Sequence, residues 1–528
     1  MKTLTLEKNQ ILYILLALAM CFLLLLALAP AGISVSVAAF LILGMLAFKN
    51  TEIFLFFLTI YIPLEPFLLK FTSDEIYPYL RLLSEGLVLI LFLTAILKHI
   101  NTNGFKYIRT PIDLPLAVFI VITAISALVN FENPSFWVIG LRQIFRYALL
   151  YYAIIYSGIS RAAAKKLVTV LAALLALETI IGLSQAIIGS TADALLLPGE
   201  RREFGNLVTP DYVRQFLFSG ERIFATMGRY DRLGTFLSFG LILIAGLAYE
   251  LKNERLKRIL KTIFLYSLSA LVLTYSRMSW LGLALGIGII GILIKKDKKL
   301  IFGLTLASVA VAGYLGLYLF LNGGNVNNIS NKADMPLAER ALALFSAREL
   351  RDSYYGYGRL YFIANTPKKI VKNNPLFGVG LGQYGGGVAA ALGNNIEYRK
   401  AGLPFGIGGE AGQIDNNWFS IWGESGTLGV LAFGWIIVSL FIFSYRTYKS
   451  ENNDSFKRGL SLAMLGIIPV ISFQSFLGPY FEVRPLSYNF WLLAGLMAGL
   501  ALNERNRNIE ELTVNRLTMA DKFAHDKQ

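Results

Sequence analysis

Apolar runs long enough to cross a bilayer follow one another through most of this chain, and that repetition constrains the fold more than any motif. Counting mainly apolar stretches of ~17–25 residues gives about fourteen: 11–29, 31–48, 53–69, 82–97, 114–129, 137–156, 167–188, 233–251, 262–275, 278–294, 300–321, 419–443, 459–477 and 486–502. A segment immersed in lipid has to satisfy its own backbone hydrogen bonds. The expectation is therefore an all-α polytopic membrane protein with about 12–14 transmembrane helices. Charged residues make up only 16% of the 528 residues, against ~25% in a soluble domain. The net charge of +15 is scattered between the spans, a topology signal rather than a nucleic-acid surface. The run at 11–29 is too long for a cleavable signal peptide, and Pro30 leads straight into a second apolar run.

Basic clusters at 98–109, 161–166, 252–261, 295–299 and 446–458 fall on one side if the spans alternate. The positive-inside tendency makes that side cytoplasmic. Both termini are then cytoplasmic, and two long loops, 189–232 and 322–418, lie outside. The expected organisation is a helical part at 1–321 with an outer loop at 189–232, a large outer loop at 322–418, C-terminal spans at 419–503 and a mobile cytoplasmic tail at 504–528. The turn at Ser276 and Arg277 is very short for a hairpin, and the sixth span carries Arg142 and Arg146. No internal repeat is visible, so a two-halved transporter gains no support.

The loop at 322–418 is far longer than the ~4–6 residues of an ordinary connection, and such loops act as functional caps or as structural lids. In it, MPLAERALALFSARELRD has the spacing of an amphipathic surface helix. GRLYFIANTPKKIVKNN reads as a second helix, interrupted near Pro367, and PLFGVGLGQYGGG as a glycine-rich turn. This turn lacks the context of a nucleotide-binding loop. It either makes simple turn geometry or lets the backbone approach a ligand, and Tyr384 within it has a ring suited to stacking on a sugar.

The loop ends in QIDNNWFSIWGESGTLG, 413–429, where the chain enters a span through Asp415, Asn416 and Asn417 rather than through Lys or Arg. A carboxylate and two amides at a membrane mouth are costly to desolvate unless they bind or react. Three arginines also lie on the side that arginine tends to avoid: Arg222 in RIFATMGRYDRLG, Arg277 in LTYSRMSWLG and Arg359 in YGRLYF. Guanidinium forks bind phosphate oxygens bidentately. The alternative for each is a pairing with a neighbouring acid, as for Arg229 and Asp231. His99 and His525 fall on the cytoplasmic side and Cys21 lies within a span, so imidazole or thiol chemistry on the outer face is not expected.

Four stretches, RIFATMGRYDRLGTF, LTYSRMSWLGL, RLYFIANTPKKIVKNNPLFGVGLGQY and DNNWFSIWGESGTLG, resemble in order and spacing the O-antigen ligase and polymerase superfamily of glycan transferases. The resemblance implies a glycosyltransferase of the inner membrane with its site on the periplasmic face. It would transfer a glycan from an undecaprenyl-diphosphate-linked donor to a sugar hydroxyl on lipid A-core or on another repeat unit, among membrane lipids. By position, Arg222, Arg277 and Arg359 would bind the diphosphate, Asn416 would contact substrate and Asp415 would be the catalytic base. Asp415 stands where many ligases carry histidine, which leaves ligase against polymerase open. A single displacement would invert the anomeric centre. No metal-binding pattern appears in the outer loops, and no cofactor is expected. For Asp415 the competing role is the N-cap of the helix that starts near Trp418. The alternative function is a transporter or flippase for a lipid-linked or small anionic solute, which would need Glu85 and Glu178, charges inside apolar spans, to face a cavity.

Overall fold

A computed structural model describes residues 42–73, 77–130, 134–197, 203–204, 207–208, 222–322, 326, 337–450 and 454–525. The first expected span lies outside the described residues, and of the second only the helix at 42–49 falls within them. Every later span is helical. Among the described residues nine helices are long and apolar enough to cross a membrane, and Ser135–Phe145 with Ala148–Tyr156 forms an apolar helix pair bent by 53°, the geometry of a broken span or a re-entrant loop. The shorter apolar helix Asp113–Val129 and the helix Glu254–Leu273, basic at its start, account for the other expected spans. The protein is an all-α polytopic membrane protein. A two-residue antiparallel ribbon, Glu203–Phe204 with Leu207–Val208, lies within the loop at 189–232.

The bundle is built around Tyr230–Glu250, Ser455–Gln474 and the first half of Arg484–His525, whose apolar windows are mostly buried. Lipid offers no hydrophobic drive between helices, so close approach relies on small residues. A Cβ on Gly246 would lie 2.6 Å from the Ala463 nitrogen, and one on Gly459 would lie 3.0 Å from the Leu247 Cα. Lys298–Asn322 is peripheral, exposing Leu306, Val309, Leu317 and Phe320. The last helix runs on to His525 instead of giving way to a mobile tail. The stretch NIEELTVNRLTMADKF is rich in good helix formers and has no Gly or Pro to stop it.

The basic clusters meet on one face of the bundle. Arg161 pairs with Asp454 at 3.0 Å, and Lys295 and Arg458 both pair with Glu250, at 2.8 and 3.1 Å. The opposite face carries the large loop. Its amphipathic stretch forms two short helices, Leu337–Leu342 and Ala347–Tyr355, the second capped by the Ser346 hydroxyl. Arg359–Asn365 follows and continues through Pro367 as wider π-type turns, Thr366–Val371. Proline, having no N–H, removes a hydrogen bond from the α-helical ladder, and here the helix widens rather than ends.

The helix Asn417–Lys449 bends at Gly426, which has φ +69°. A Cβ there would meet the Leu376 carbonyl oxygen at 2.2 Å. The bend frees backbone groups that the loop then satisfies. Val379 and Gly380 amides donate to the Gly423 and Glu424 carbonyls at 2.9 and 3.0 Å, and the Thr427 amide donates to Pro375 at 2.9 Å. The spacing from Asp415 to Gly426 thus serves to seat the loop on the bundle.

Candidate active site

The motif DNNW is fixed by its last three residues. The Asn416 side chain accepts from the Phe419 amide at 3.1 Å and donates to the Phe476 carbonyl at 2.8 Å. Asn417 accepts from the Phe481 amide at 3.0 Å and donates to Glu482 at 2.9 Å. The Trp418 indole donates to the Ser472 carbonyl at 2.8 Å. Asn416 and Asn417 clamp the start of the helix onto the turn that follows Ser455–Gln474, and Trp418 clamps it onto the last turn of that helix. The N-cap is therefore Asn416, not Asp415, and the Asn416 amide makes one hydrogen bond to the protein through its oxygen and one through its nitrogen.

Asp415, left outside the cap, has φ +48°. A non-glycine residue in the left-handed region is uncommon, and such strain concentrates at functional sites. Its carboxylate meets Arg359 at 3.2 Å, and both side chains remain partly exposed, 23% and 38%. Burial works against charge on Arg359, but Asp415, with Tyr480, Tyr230 and Asp231, outweighs it and holds the guanidinium more firmly protonated. Among the described residues the Arg359 Nε is buried without a hydrogen-bond partner.

Beside this pair lies a second one. Arg229 and Asp231 meet at 3.0 Å, as their spacing suggested. The Asp231 carboxylate, reinforced by Asp415, raises the pKa of Arg229 despite its burial. The Arg222 guanidinium sits 4.4 Å from the centre of the Tyr230 ring, a cation–π contact. Among the described residues Arg222, Arg229, Arg232 and Arg359 thus gather near Asp231 and Asp415 on the loop-bearing face.

Tyr480 completes the cluster and was not foreseen. It is 3% exposed, and burial, followed by the Asp231 carboxylate, pushes its hydroxyl pKa up. It therefore stays protonated, a donor beside the two ion pairs. Its only trace in the sequence is a polar interruption, GPYFEVRP, between the last two spans.

Other expected site residues lie elsewhere. Arg277 pairs with Glu349 of the loop helix Ala347–Tyr355 at 3.4 Å, with its Nη1 buried and unpartnered. Tyr384 is fully buried in the loop's own core. Its hydroxyl lies 2.7 Å from that of Thr366, its ring packs on Tyr398, and a Cβ on Gly423 would meet that ring at 2.4 Å. No face of Tyr384 is open to a sugar. The glycine run is held by Glu424, which accepts from the Gly382 and Tyr384 amides at 3.0 and 3.2 Å, and by Glu482, which accepts from the Gly387 amide at 3.0 Å.

The charges within the spans have partners in the protein. Glu178 is fully buried and accepts from the backbone amide and hydroxyl of Thr226. Glu85 meets Arg142, Arg146 and Arg484. The transport reading needed these two carboxylates to face a cavity, and the structure commits them to neighbours.

A helical membrane bundle capped by a long loop, with arginines and a strained aspartate where cap and bundle meet, defines a class of polytopic proteins whose site lies at one membrane face. Comparison with protein families finds that residues 262–434 match the model of the O-antigen ligase family. Over that segment, about a third of the chain, the protein is similar to the O-antigen ligase family. The matched segment contains Arg277, Arg359, Asp415 and Gly426, while Arg222, Arg229, Asp231 and Tyr480 lie on either side of it. Comparison with curated proteins finds no match.

Proposed function

We propose that this protein transfers a glycan from undecaprenyl diphosphate to a sugar hydroxyl, on lipid A-core or on another repeat unit, at the periplasmic face of the inner membrane. The observation that carries this reading is the Arg359–Asp415 pair: a strained carboxylate bound to an arginine whose Nε has no partner. In the resting protein the two groups neutralise each other. A diphosphate arriving at the cluster takes Arg359 by its fork, with Arg222 beside it, and so frees the Asp415 oxygens for the acceptor hydroxyl.

The acceptor oxygen then attacks the anomeric carbon as its proton passes to Asp415. The bond from that carbon to the diphosphate oxygen breaks, and the electron pair leaves with undecaprenyl diphosphate. Fixed guanidinium groups stabilise the charge that develops on the leaving group. A single displacement of this kind inverts the anomeric configuration and draws on no metal. Tyr480, protonated, offers a donor to the same phosphate oxygens. Arg277 ties the loop to the bundle through Glu349.

The test is transfer by purified protein in lipid nanodiscs, with undecaprenyl-diphosphate-linked oligosaccharide, an acceptor glycolipid and a chelator present. Product of inverted configuration is expected. Movement of the lipid-linked glycan between leaflets with no new glycosidic bond would overturn the reading in favour of a flippase. In cells, loss of the protein separates the two acceptors: short glycan on a normal anchor indicates polymerase, and long unattached glycan indicates ligase. Cysteines in 337–416 should label from outside cells, and one at Lys457 should not.

A further inference from the structure

A second feature on the loop-bearing face has no part in this chemistry. Where Asp113–Val129 ends against the large loop, a cleft of about 460 Å³ opens, lined among others by Asn130, Lys369, Asn374, Gln383, Glu397 and Lys400. Gln383 is 4% exposed. Its Nε2 donates to the Asn130 carbonyl at 3.2 Å, while its Oε1 is buried with no partner among the described residues. An unmatched amide oxygen in a buried position is unfavourable, and a donor from a bound molecule would satisfy it.

The charges of the cleft are occupied. Lys400 pairs with Glu397 at 2.8 Å, and Lys369 donates to the Gly402 carbonyl at 2.9 Å. This is unlike the arginine cluster and unsuited to a diphosphate. Side-chain amides each offer both donors and acceptors, which matches the mixed hydrogen bonding of sugar hydroxyls. Val129, Ile370 and Val379 give the same walls apolar patches for the C–H faces of a ring. We propose that this cleft is a glycan subsite, holding sugars of the substrate at a distance from the bond being made.

Geometry links it to the reaction centre. The glycine run forms one wall: Gln383 lines the cleft, and two residues on, the Gly385 carbonyl accepts from the Ile414 amide at 3.2 Å, next to Asp415. A glycan whose reacting sugar lies at Asp415 can follow this wall to the amides. Gly380, at φ +105°, keeps the wall clear, since a Cβ there would lie 2.8 Å from the Gln383 Nε2. The proposal rests on the glycan-transfer reading and names where more distant sugars of its substrate bind.

The test uses full-length protein in nanodiscs and fluorescently labelled di- to hexasaccharides of neutral and N-acetylated hexoses, with no lipid donor present. Binding that strengthens with length is expected, and Asn374→Trp, which fills the cleft from its half-buried rim, should weaken it about tenfold or more. Gln383→Leu keeps the bulk and removes the amide, so it should weaken binding in the same direction. Equal affinity of Asn374→Trp and the parent, displacement of the sugars by inorganic pyrophosphate, or no binding by the parent would each overturn the proposal. Binding is read without transfer. A protein that holds oligosaccharides but transfers nothing therefore sinks the transferase reading and keeps the cleft, whereas one that transfers while ignoring free oligosaccharides sinks the cleft alone.

Discussion

Two groups of charges stand near the loop-bearing ends of the helices, and they are built differently. Around Asp415 the Arg359 and Asp415 side chains are partly exposed, and Asp415 is strained. Around Glu65 and Glu85 the groups are more deeply buried and interlinked, with the Glu65 Oε2 and the Arg146 Nε left without a partner among the described residues. Arg484 meets Glu65 at 2.7 Å and Glu85 at 3.4 Å, Arg146 meets Glu85 at 3.3 Å, and Ser84 donates to Glu65 at 3.0 Å. Glu65 is 1% and Arg484 16% exposed. The two are linked: Arg146 donates to Gln143, Gln143 to Glu482, and Glu482 accepts from Asn417, two residues beyond Asp415. Buried ionic groups of the second kind hold helices in register. Side chains still reachable from solvent, as in the first kind, are what a charged ligand requires. Counting charges within apolar spans does not separate the two, but exposure and backbone strain do.

The largest effect should come from the open cluster. Asp415→Asn keeps size and removes the proton acceptor, and because Asn416 provides the cap, helix stability should not change. Transfer should fall by ~10²–10⁴, the range for losing general acid–base catalysis, with an unaltered melting temperature in detergent. Parental transfer rates would remove the base from the mechanism. Asp415→His, which restores the residue many ligases carry, should keep part of the activity at neutral pH.

The buried cluster should answer in the opposite way. Glu85→Gln leaves Arg142, Arg146 and Arg484 facing Glu65 alone. Breaking a buried ion pair costs ~3–5 kcal/mol, so the melting temperature should drop clearly. The fraction that folds should transfer glycan at close to the parental rate. A fully stable but inactive Glu85→Gln protein would instead make the buried cluster part of the site.

The sequence made the bundle legible because spans are written in composition. The helices appear where apolar runs begin and end, even at the abrupt turn of Ser276. Arg142 and Arg146 were visible as oddities, but not the bend between Phe145 and Ala148 that turns them toward Glu85, which depends on partners distant in the chain. The same holds at the site. Arg359 and Asp415 could be singled out one by one, because each is a charge where charge is costly. That they touch is a fact of the folded loop. Asn416 shows the reverse: an amide beside a candidate base suggests a ligand contact, and only the folded chain reveals that it caps the helix. Tyr384 stood out in a glycine run, yet Glu424 draws the neighbouring amides inward and buries it.

Within the open cluster, Arg359→Lys sharpens the comparison further. Lysine keeps the charge and the contact with Asp415 but loses the planar fork. Each charge-assisted hydrogen bond is worth ~1.5–3 kcal/mol, so affinity for a lipid diphosphate should fall about 10–100-fold, measured by competition with undecaprenyl diphosphate. Membrane insertion and melting temperature should hold. Unchanged affinity would move diphosphate recognition from Arg359 to Arg222 and Arg229.

Arg277 is the residue that could belong to either kind of cluster, and its variants should give the smallest effects. Its pair with Glu349 is partly exposed, 20% and 25%, and pairs open to solvent contribute ~0–1 kcal/mol. If it ties the loop helix Ala347–Tyr355 to the bundle, Arg277→Lys and Glu349→Gln act on the same contact. Both should then shift transfer by no more than a few-fold, and combining them should add little to either alone. A phosphate ligand would behave otherwise. Glu349→Gln would release Arg277 and leave transfer intact or improved, while Arg277→Lys would lose the fork and with it most donor affinity. Matching small losses in the two single variants keep Arg277 with the structural pairs, whereas a large loss confined to Arg277→Lys transfers it to the diphosphate site.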